Sequence, residues 1–335
     1  MLEDIRQAQK SIYLESFILT KDPKTREFFN AIKQKAKEGI KVKIILDRLA
    51  NLWYGSFEKE EFEKSGAEVL LFNRWWFYRS HRKVLVIDEG VGYIGGVNVS
   101  GQYAKWIDLH LRMTGIFVKN LLRSFSRVYE LAGGKDAEVL KLRKSRKLFE
   151  ARAKLYKAKS WLIERLPFKS RSDFRKYYRR KCQEANHKIV LATPYFVPHR
   201  WLIKSLKAAA NRGVKIEVIV PEHTDVLLAN IANRAFAKKL KDFAEFFFIP
   251  EMNHAKVLLI DDKEGLVGSN NINSRSFNLD LEAAVIFQRK DMVGDLKQIL
   301  NRWEKTAKPL SAIADYNKWY HWVLGILVSI FQPIL

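Results

Sequence analysis

Two stretches of this chain carry the same polar residues at the same spacing around apolar runs. Residues 81–98 read H-R-K-V-L-V-I-D-E-G-V-G-Y-I-G-G-V-N, and residues 254–271 read H-A-K-V-L-L-I-D-D-K-E-G-L-V-G-S-N-N. In both, a lysine follows the histidine by 2 residues, an aspartate by 7 and an asparagine by 17. These are groups that can handle a phosphodiester. One imidazole can attack phosphorus and another can protonate the leaving oxygen. Lysine and asparagine donors can hold the phosphoryl oxygens as negative charge builds on them. One set could grip one side of a phosphate, and two sets facing each other would surround it with two cations, two amide donors and two imidazoles. A single short motif matches by chance often enough to mean little. Two copies at identical spacing are hard to explain by folding needs alone.

The elements that must position these groups are also legible. His81 and Lys83, like His254 and Lys256, stand two residues apart, so on a strand each pair shares a face. Val84-Leu85-Val86-Ile87 and Val257-Leu258-Leu259-Ile260 read as buried strands. Turns are expected at Asp88-Glu89-Gly90 and at Asp261-Asp262-Lys263-Glu264-Gly265, each followed by a second apolar run that leads to Asn98 or Asn271. Residues 25–38 read as an amphipathic helix with Phe28, Phe29, Ile32 and Ala36 on one face, stopped by Gly39 and followed by a strand at 42–47. The same helix, glycine and strand recur at 202–211, Gly213 and 214–220. Gly39 precedes His81 by 42 residues and Gly213 precedes His254 by 41, so the repeat covers whole lobes. Strands alternating with helices predict an α/β sheet in each lobe, and the lobes should be related by a pseudo-dyad.

The doubled set resembles the paired H-x-K-x(4)-D motifs of the phospholipase D superfamily, with their G-G-x-N and G-S-x-N turns. Other segments are similar to its bacterial cardiolipin synthase branch. They are Phe72-Asn73 followed by Tyr78-Arg79-Ser80-His81-Arg82-Lys83, Trp106-Ile107-Asp108-Leu109-His110-Leu111-Arg112, Thr193-Pro194-Tyr195-Phe196-Val197-Pro198, and Asn273-Ser274-Arg275-Ser276. The resemblance runs from about Ile12 to the C-terminus. It implies two phospholipase D-like lobes, each a mixed β-sheet flanked by helices, with the active site at the lobe interface. The corresponding division is a first lobe at 1–132, a basic helical insertion at 133–185, a second lobe at 186–310 and an apolar membrane-associating segment at 311–335.

The function the resemblance implies is a phosphatidyltransferase that joins two phosphatidylglycerols into cardiolipin and glycerol through a phosphohistidine. His81 would attack the phosphodiester; His254 would protonate the leaving glycerol and then deprotonate the incoming hydroxyl. The reverse assignment stays open. Lys83, Lys256, Asn98 and Asn271 would hold the phosphate oxygens. Asp88 and Asp261 complete the catalytic motif by position. Downstream of each copy lies another carboxylate, Asp108 at 27 residues after His81 and Glu282 at 28 after His254. The resemblance makes these two the groups that orient the imidazoles, leaving Asp88 and Asp261 to tie down turns or strands. His110 would share the face of Asp108 on a strand. Glu15, a carboxylate inside an apolar strand, matches an acidic position of the branch and could line the site. No metal or cofactor is called for. The alternatives are a phospholipase D-type hydrolase with water as acceptor, a nuclease or other phosphodiesterase, and a binding protein with a relic site.

Composition narrows the partner. The 335 residues hold one large domain or two of ordinary size, and the net charge of +23 asks for an anionic partner: membrane, phosphorylated substrate or nucleic acid. With Cys182 as the one cysteine, neither an intrachain disulfide nor a cysteine zinc cluster can form. Cys182, His199 and His223 read as bystanders. Residues 1–10 are polar and helical, which fits neither a signal peptide nor the membrane-spanning helices common at this place in the branch. Residues 73–79, N-R-W-W-F-Y-R, could pack in the core or form an interfacial lip for anionic headgroups. Residues 133–181 read as helix-rich and one-sidedly basic, suited to phosphates on a membrane or nucleic acid. Residues 319–335, W-Y-H-W-V-L-G-I-L-V-S-I-F-Q-P-I-L, read first as an in-plane or partly inserted membrane helix, with core packing next and a marginal transmembrane anchor as the third reading. The expected setting is peripheral or monotopic attachment to the cytoplasmic face of an anionic phospholipid membrane.

Overall fold

The alternation of apolar runs and amphipathic helices resolves into two mixed β-sheets flanked by helices. The computed structural model describes residues 1–54, 59–73, 77–143, 159–166 and 173–313. In chain order the strands are β1 (Ser11–Ser16), β2 (Lys41–Asp47), β3 (Glu68–Phe72), β4 (Val84–Ile87), β5 (Val91–Gly95), β6 (His110–Thr114), β7 (Ser160–Arg165), β8 (Lys188–Ala192), β9 (Lys215–Pro221), β10 (Glu245–Ile249), β11 (Val257–Ile260), β12 (Glu264–Gly268), β13 (Glu282–Phe287) and β14 (Lys308–Pro309). The first sheet has six strands in the order β3-β2-β1-β4-β5-β6, and the second has eight in the order β14-β10-β9-β8-β11-β12-β13-β7. Without its two edge strands, the second sheet repeats the first. In each, three parallel strands adjoin an antiparallel hairpin.

The chain divides into two compact units. The first is built from Met1–Lys105, His110–Leu162 and Leu281–Ala283, and the second takes Trp106–Leu109, Ile163–Asp280 and the chain from Ala284 onward. Two short segments are therefore exchanged: residues 106–109 leave the first half of the sequence for the second unit, and 281–283 make the opposite move.

Within the first unit, helix Arg26–Lys37 buries Phe29, Ile32 and Ala36 on the sheet face formed by Ile12, Leu14, Ile44, Leu46 and Val69. Helix Ile116–Leu131 covers the other face, where Phe125 meets Tyr13 at 5.2 Å between ring centroids. That helix approaches so closely at Gly92 that an added Cβ would lie 2.5 Å from Leu121. The repeat-related Gly265 is as tight, with Phe287 at 2.6 Å.

The hairpin turns repeat as well. Asp88 and Glu89 have φ of 50° and 56°, and Asp261 and Asp262 have 51° and 53°, which are the φ signs of a type I′ turn. Left-handed backbone is costly for a residue with a side chain. The aspartates offset it locally. Asp88 accepts the backbone N–H groups of Gln9, Lys10 and Ser11 at 2.7–2.9 Å, and Asp261 accepts those of Asn186, His187 and Lys188 at 2.8–2.9 Å. Each carboxylate so fastens the start of the neighbouring strand. Burial pushes Asp261 up, but the three donated N–H groups outweigh it and hold its carboxyl below the ordinary range. The second turn is shorter than expected, since Glu264 already belongs to β12 and accepts from the Tyr177 hydroxyl at 2.7 Å.

The basic stretch departs from its helix-rich reading. Residues 160–165, S-W-L-I-E-R, form β7 at the edge of the second sheet, because a short apolar run there pairs more readily than it coils. Residues 144–158, 167–172 and 314–335 lie outside the described residues, as do 74–76 of the aromatic stretch. No helix among the described residues is long and apolar enough to cross a membrane.

Candidate active site

In the first unit, the histidine stands just ahead of its strand. β4 begins at Val84, so His81, Arg82 and Lys83 form an extended lead-in rather than strand positions. Leu281 clamps this lead-in: the His81 N–H donates to the Leu281 carbonyl at 3.0 Å, and the Leu281 N–H donates to the Arg79 carbonyl at 2.8 Å. That clamp brings in Glu282. His81 Nδ1 lies 3.2 and 3.3 Å from its two carboxylate oxygens, and the Glu282 side chain is fully buried. A carboxylate only accepts, so Nδ1 carries the proton and the lone pair is left at Nε2. Phe17 packs its ring against the imidazole at 4.8 Å, and Lys83 Nζ lies 4.9 Å over the same phenyl ring while donating to the His81 carbonyl at 2.6 Å.

The second unit repeats the construction. His254 to Lys256 precede β11. The His254 N–H donates to the Ile107 carbonyl at 2.7 Å, and the Ile107 N–H donates to the Met252 carbonyl at 2.9 Å. Asp108, the next residue, sits with Oδ2 2.7 Å from His254 Nδ1. Burial pushes the Asp108 carboxyl up, but the His254 charge and hydrogen bond, the Lys256 charge and the Leu109 N–H together bring it below its ordinary value. Trp106 and Tyr195 flank the imidazole at 5.4 and 6.4 Å. Lys256 Nζ donates to the His254 carbonyl.

The carboxylate at each Nδ1 thus comes from the other half of the sequence. Distance along the chain groups Asp108 with His81 and Glu282 with His254; the fold pairs them crosswise. The same exchange separates His110 from Asp108. His110 opens β6 in the first unit while Asp108 belongs to the second, so the two do not share a strand face. Asn98 and Asn271 follow β5 and β12, and the Oδ1 atom of each is buried without a hydrogen-bond partner among the described residues. Each oxygen can accept from a donor on a bound group, whereas a phosphoryl oxygen would take its hydrogen bond from the Nδ2 end of the same carboxamide. Asp88 and Asp261 lie at the far ends of β4 and β11 from the histidines, their oxygens occupied by backbone N–H groups. Motif membership had grouped them with the catalytic set; their contacts make them anchors of the sheet. Among the described residues, no cluster of three or more His, Cys, Asp or Glu side chains could hold a metal ion. Burial pushes the Cys182 thiol up to about 12, so it stays protonated and unreactive.

Sequence reasoning missed the support beneath His81. Glu15 does not line the site. It accepts from the Ser80 hydroxyl at 2.7 Å and pairs with Arg82 at 3.3 Å, both charged side chains being fully buried. Asp47 takes the Ser80 N–H at 2.9 Å and the Arg79 guanidinium at 3.2 Å, and burial raises its pKa in spite of those donors. Strand register gives the counterparts. Glu15 pairs with Val84 and Ala192 with Val257, so Ala192 replaces Glu15, just as Ala255 replaces Arg82. Both charges are present in one repeat and both absent in the other. The signal was the Arg82/Ala255 difference within otherwise matching motifs: a buried cation needs a buried anion.

This arrangement makes a stability prediction. Glu15→Ala alone strands the Arg82 charge and should cost about 3–5 kcal/mol. The double change Glu15→Ala with Arg82→Ala copies the second repeat and should recover most of that loss. Denaturant unfolding checks it; a double variant less stable than the single one would contradict the pairing.

Comparison with known proteins shows the family of the chain. The family model described as "Cardiolipin synthase, PLD-like domain" matches residues 1–108 and 178–303. The chain is 26% identical over 331 residues to the probable cardiolipin synthase YwiE of Bacillus subtilis (strain 168), an alignment covering 94% of this chain and 65% of that protein. It is 27% identical over 311 residues to a cardiolipin synthase of Clostridium perfringens (strain 13 / Type A), covering 85% of this chain and 63% of the relative. The chain therefore spans a little under two thirds of the length of these relatives. Among solved structures, the phosphatidylserine synthase of Haemophilus influenzae Rd KW20 superposes with a TM-score of 0.74 at 17% identity, over 99% of this chain and 90% of that one. At such identity the likeness is one of fold.

Proposed function

Because the chain belongs to the family of cardiolipin synthase, phospholipase D-like domains, we propose that it transfers a phosphatidyl group between alcohols, joining two phosphatidylglycerols into cardiolipin with release of glycerol. The observation that carries the reading is the doubled histidine, each imidazole held at Nδ1 by a buried carboxylate with Nε2 left reactive. The relatives named as cardiolipin synthases support the choice of lipid.

In the proposed reaction, His81 Nε2 attacks phosphorus and the bond to the glycerol oxygen breaks, with its electron pair leaving on that oxygen. Protonated His254 supplies the proton, and a phosphatidyl-histidine forms. Neutral His254 then takes the proton of a second phosphatidylglycerol hydroxyl, whose oxygen displaces His81. Glu282 and Asp108 hold the tautomers and stabilise each imidazole when it is charged. Lys83, Lys256, Asn98 and Asn271 hold the phosphoryl oxygens as charge grows on them. Asp88 and Asp261 act only by fixing the hairpins. The net charge of +23 suits an anionic phospholipid membrane, to which the chain would attach peripherally at the cytoplasmic face.

Incubation with vesicles containing phosphatidylglycerol, followed by mass spectrometry of lipids and glycerol, tests the reading. Cardiolipin with glycerol in equal amounts is expected. Phosphatidic acid alone would make water the acceptor, and no lipid product at all would overturn the lipid substrate.

A further inference from the structure

Folding hides large apolar side chains unless something else will cover them. Among the described residues, the exposed large hydrophobics are Leu52, Trp53, Val226, Leu227 and Leu228, with Trp53 at 78% and Leu227 at 73% exposure. They fall at one place in the repeat. Trp53 stands six residues after Asp47, the last residue of β2, and Leu227 six residues after Pro221, the last residue of β9.

That place is linked to the histidine of its own unit through intervening side chains. In the first, the Arg79 guanidinium lies 5.7 Å over the Trp53 ring, and Arg79 is two residues before His81. In the second, Asp225, next to Val226, accepts from the Tyr195 hydroxyl at 2.6 Å, and the Tyr195 ring is 6.4 Å from that of His254. Neither tip owes its exposure to a loose loop. The Asn51 side chain bonds the Phe17 and Asp47 carbonyls, both at 2.8 Å, and takes the Leu19 N–H at 3.0 Å. The Thr224 hydroxyl donates to the Val226 carbonyl at 2.7 Å, while Asn230 accepts the Thr224 N–H at 2.5 Å. Two unrelated sets of hydrogen bonds hold apolar residues outward at equivalent positions.

We propose that these two tips are lipid-docking elements, each inserting into the headgroup zone of a bilayer beside its histidine. The inference rests on the phosphatidyl-transfer reading, whose substrate sits in a membrane. Tryptophan and leucine suit that zone, where a ring or branched chain reaches apolar tails while the backbone stays hydrated. Exposed Arg48, which opens the helix that carries Trp53, complements anionic headgroups, whereas Arg79 is already paired with Asp47. The second tip has Asp225 beside it, so its contribution is apolar.

The test compares the full chain with Trp53→Ser and with Leu227→Ser plus Leu228→Ser. Vesicles of phosphatidylglycerol and phosphatidylcholine serve for co-sedimentation and turnover, and dihexanoyl phosphatidylglycerol serves as a dissolved monomeric substrate. Removing a tip should weaken vesicle binding about tenfold or more, since burial of one such side chain is worth that much. Turnover in vesicles should fall in step, while turnover of the dissolved lipid stays near that of the unaltered chain. Unchanged vesicle binding in both variants would overturn the proposal. So would a variant that changes the oligomeric state in sedimentation while binding vesicles normally, because the tips would then meet a second copy. If the unaltered chain turns over neither lipid form, the transfer reading fails, and co-sedimentation still decides the tips.

Discussion

His81→Ala and His254→Ala should each lower phosphatidyl transfer on the order of 10⁴-fold or more, since in the proposed mechanism one removes the nucleophile and the other the general acid and base. The two losses differ in kind. His81→Ala abolishes the covalent intermediate altogether. His254→Ala leaves the nucleophile in place but removes the proton source for the leaving glycerol and the base for the incoming hydroxyl, so intermediate forms slowly and decays slowly. Neither change should unfold the protein. Both imidazoles lie on extended lead-ins whose backbones are clamped by Leu281 and Ile107, contacts made by N–H and C=O groups that alanine keeps. Near-normal turnover in either variant, with native circular dichroism, would remove that histidine from the chemistry.

The crosswise carboxylates carry the second large effect. Glu282→Gln and Asp108→Asn keep the shape of each contact but offer Nδ1 an amide that no longer fixes the tautomer or stabilises the charged ring. Rates should fall about 10²–10³-fold, less than for loss of a histidine. Partnership is tested by combination. Asp108→Asn added to His254→Ala should slow transfer no further if the carboxylate acts, as proposed, through that imidazole. A further tenfold loss would show that Asp108 serves another group. The acid side of the pH profile follows the same assignment. The Asp108 pKa is depressed in the folded protein, so its stabilising contact is complete above the ordinary carboxylate value near 3.8 and is lost only as pH falls through the depressed one. A loss of rate at any pH above the ordinary carboxylate value is therefore not loss of the Asp108 contact.

The sequence made much of this legible for a physical reason. Equal spacing of histidine, lysine, aspartate and asparagine in two copies is a statement about geometry, and strand periodicity turns it into a hairpin. The glycine after each amphipathic helix fixed the lobe repeat, and Gly39 and Gly213 do adopt positive φ, at 84° and 89°. What stayed hidden was which chain segments cross. Asp108 and Glu282 stand nearly the same distance after their own motifs, so spacing cannot say that each leaves for the other unit. Only the clamps at Ile107 and Leu281 decide it. Glu15 misled for a related reason. A carboxylate in an apolar strand looks like a site residue until its partner is known, and Arg82 is 67 positions away. The β7 strand was obscured by lysines and arginines on both sides, which favour a helical reading by composition.

The central claim is that a phosphatidyl group rests on one histidine between two alcohols. Rapid acid-free quenching of the chain with phosphatidylglycerol, followed by peptide mass spectrometry, tests it most directly. The account predicts a phosphatidyl adduct on the peptide containing His81, absent from His81→Ala and lost on addition of a second alcohol. Turnover without any histidine adduct, or an adduct confined to His254, would contradict it.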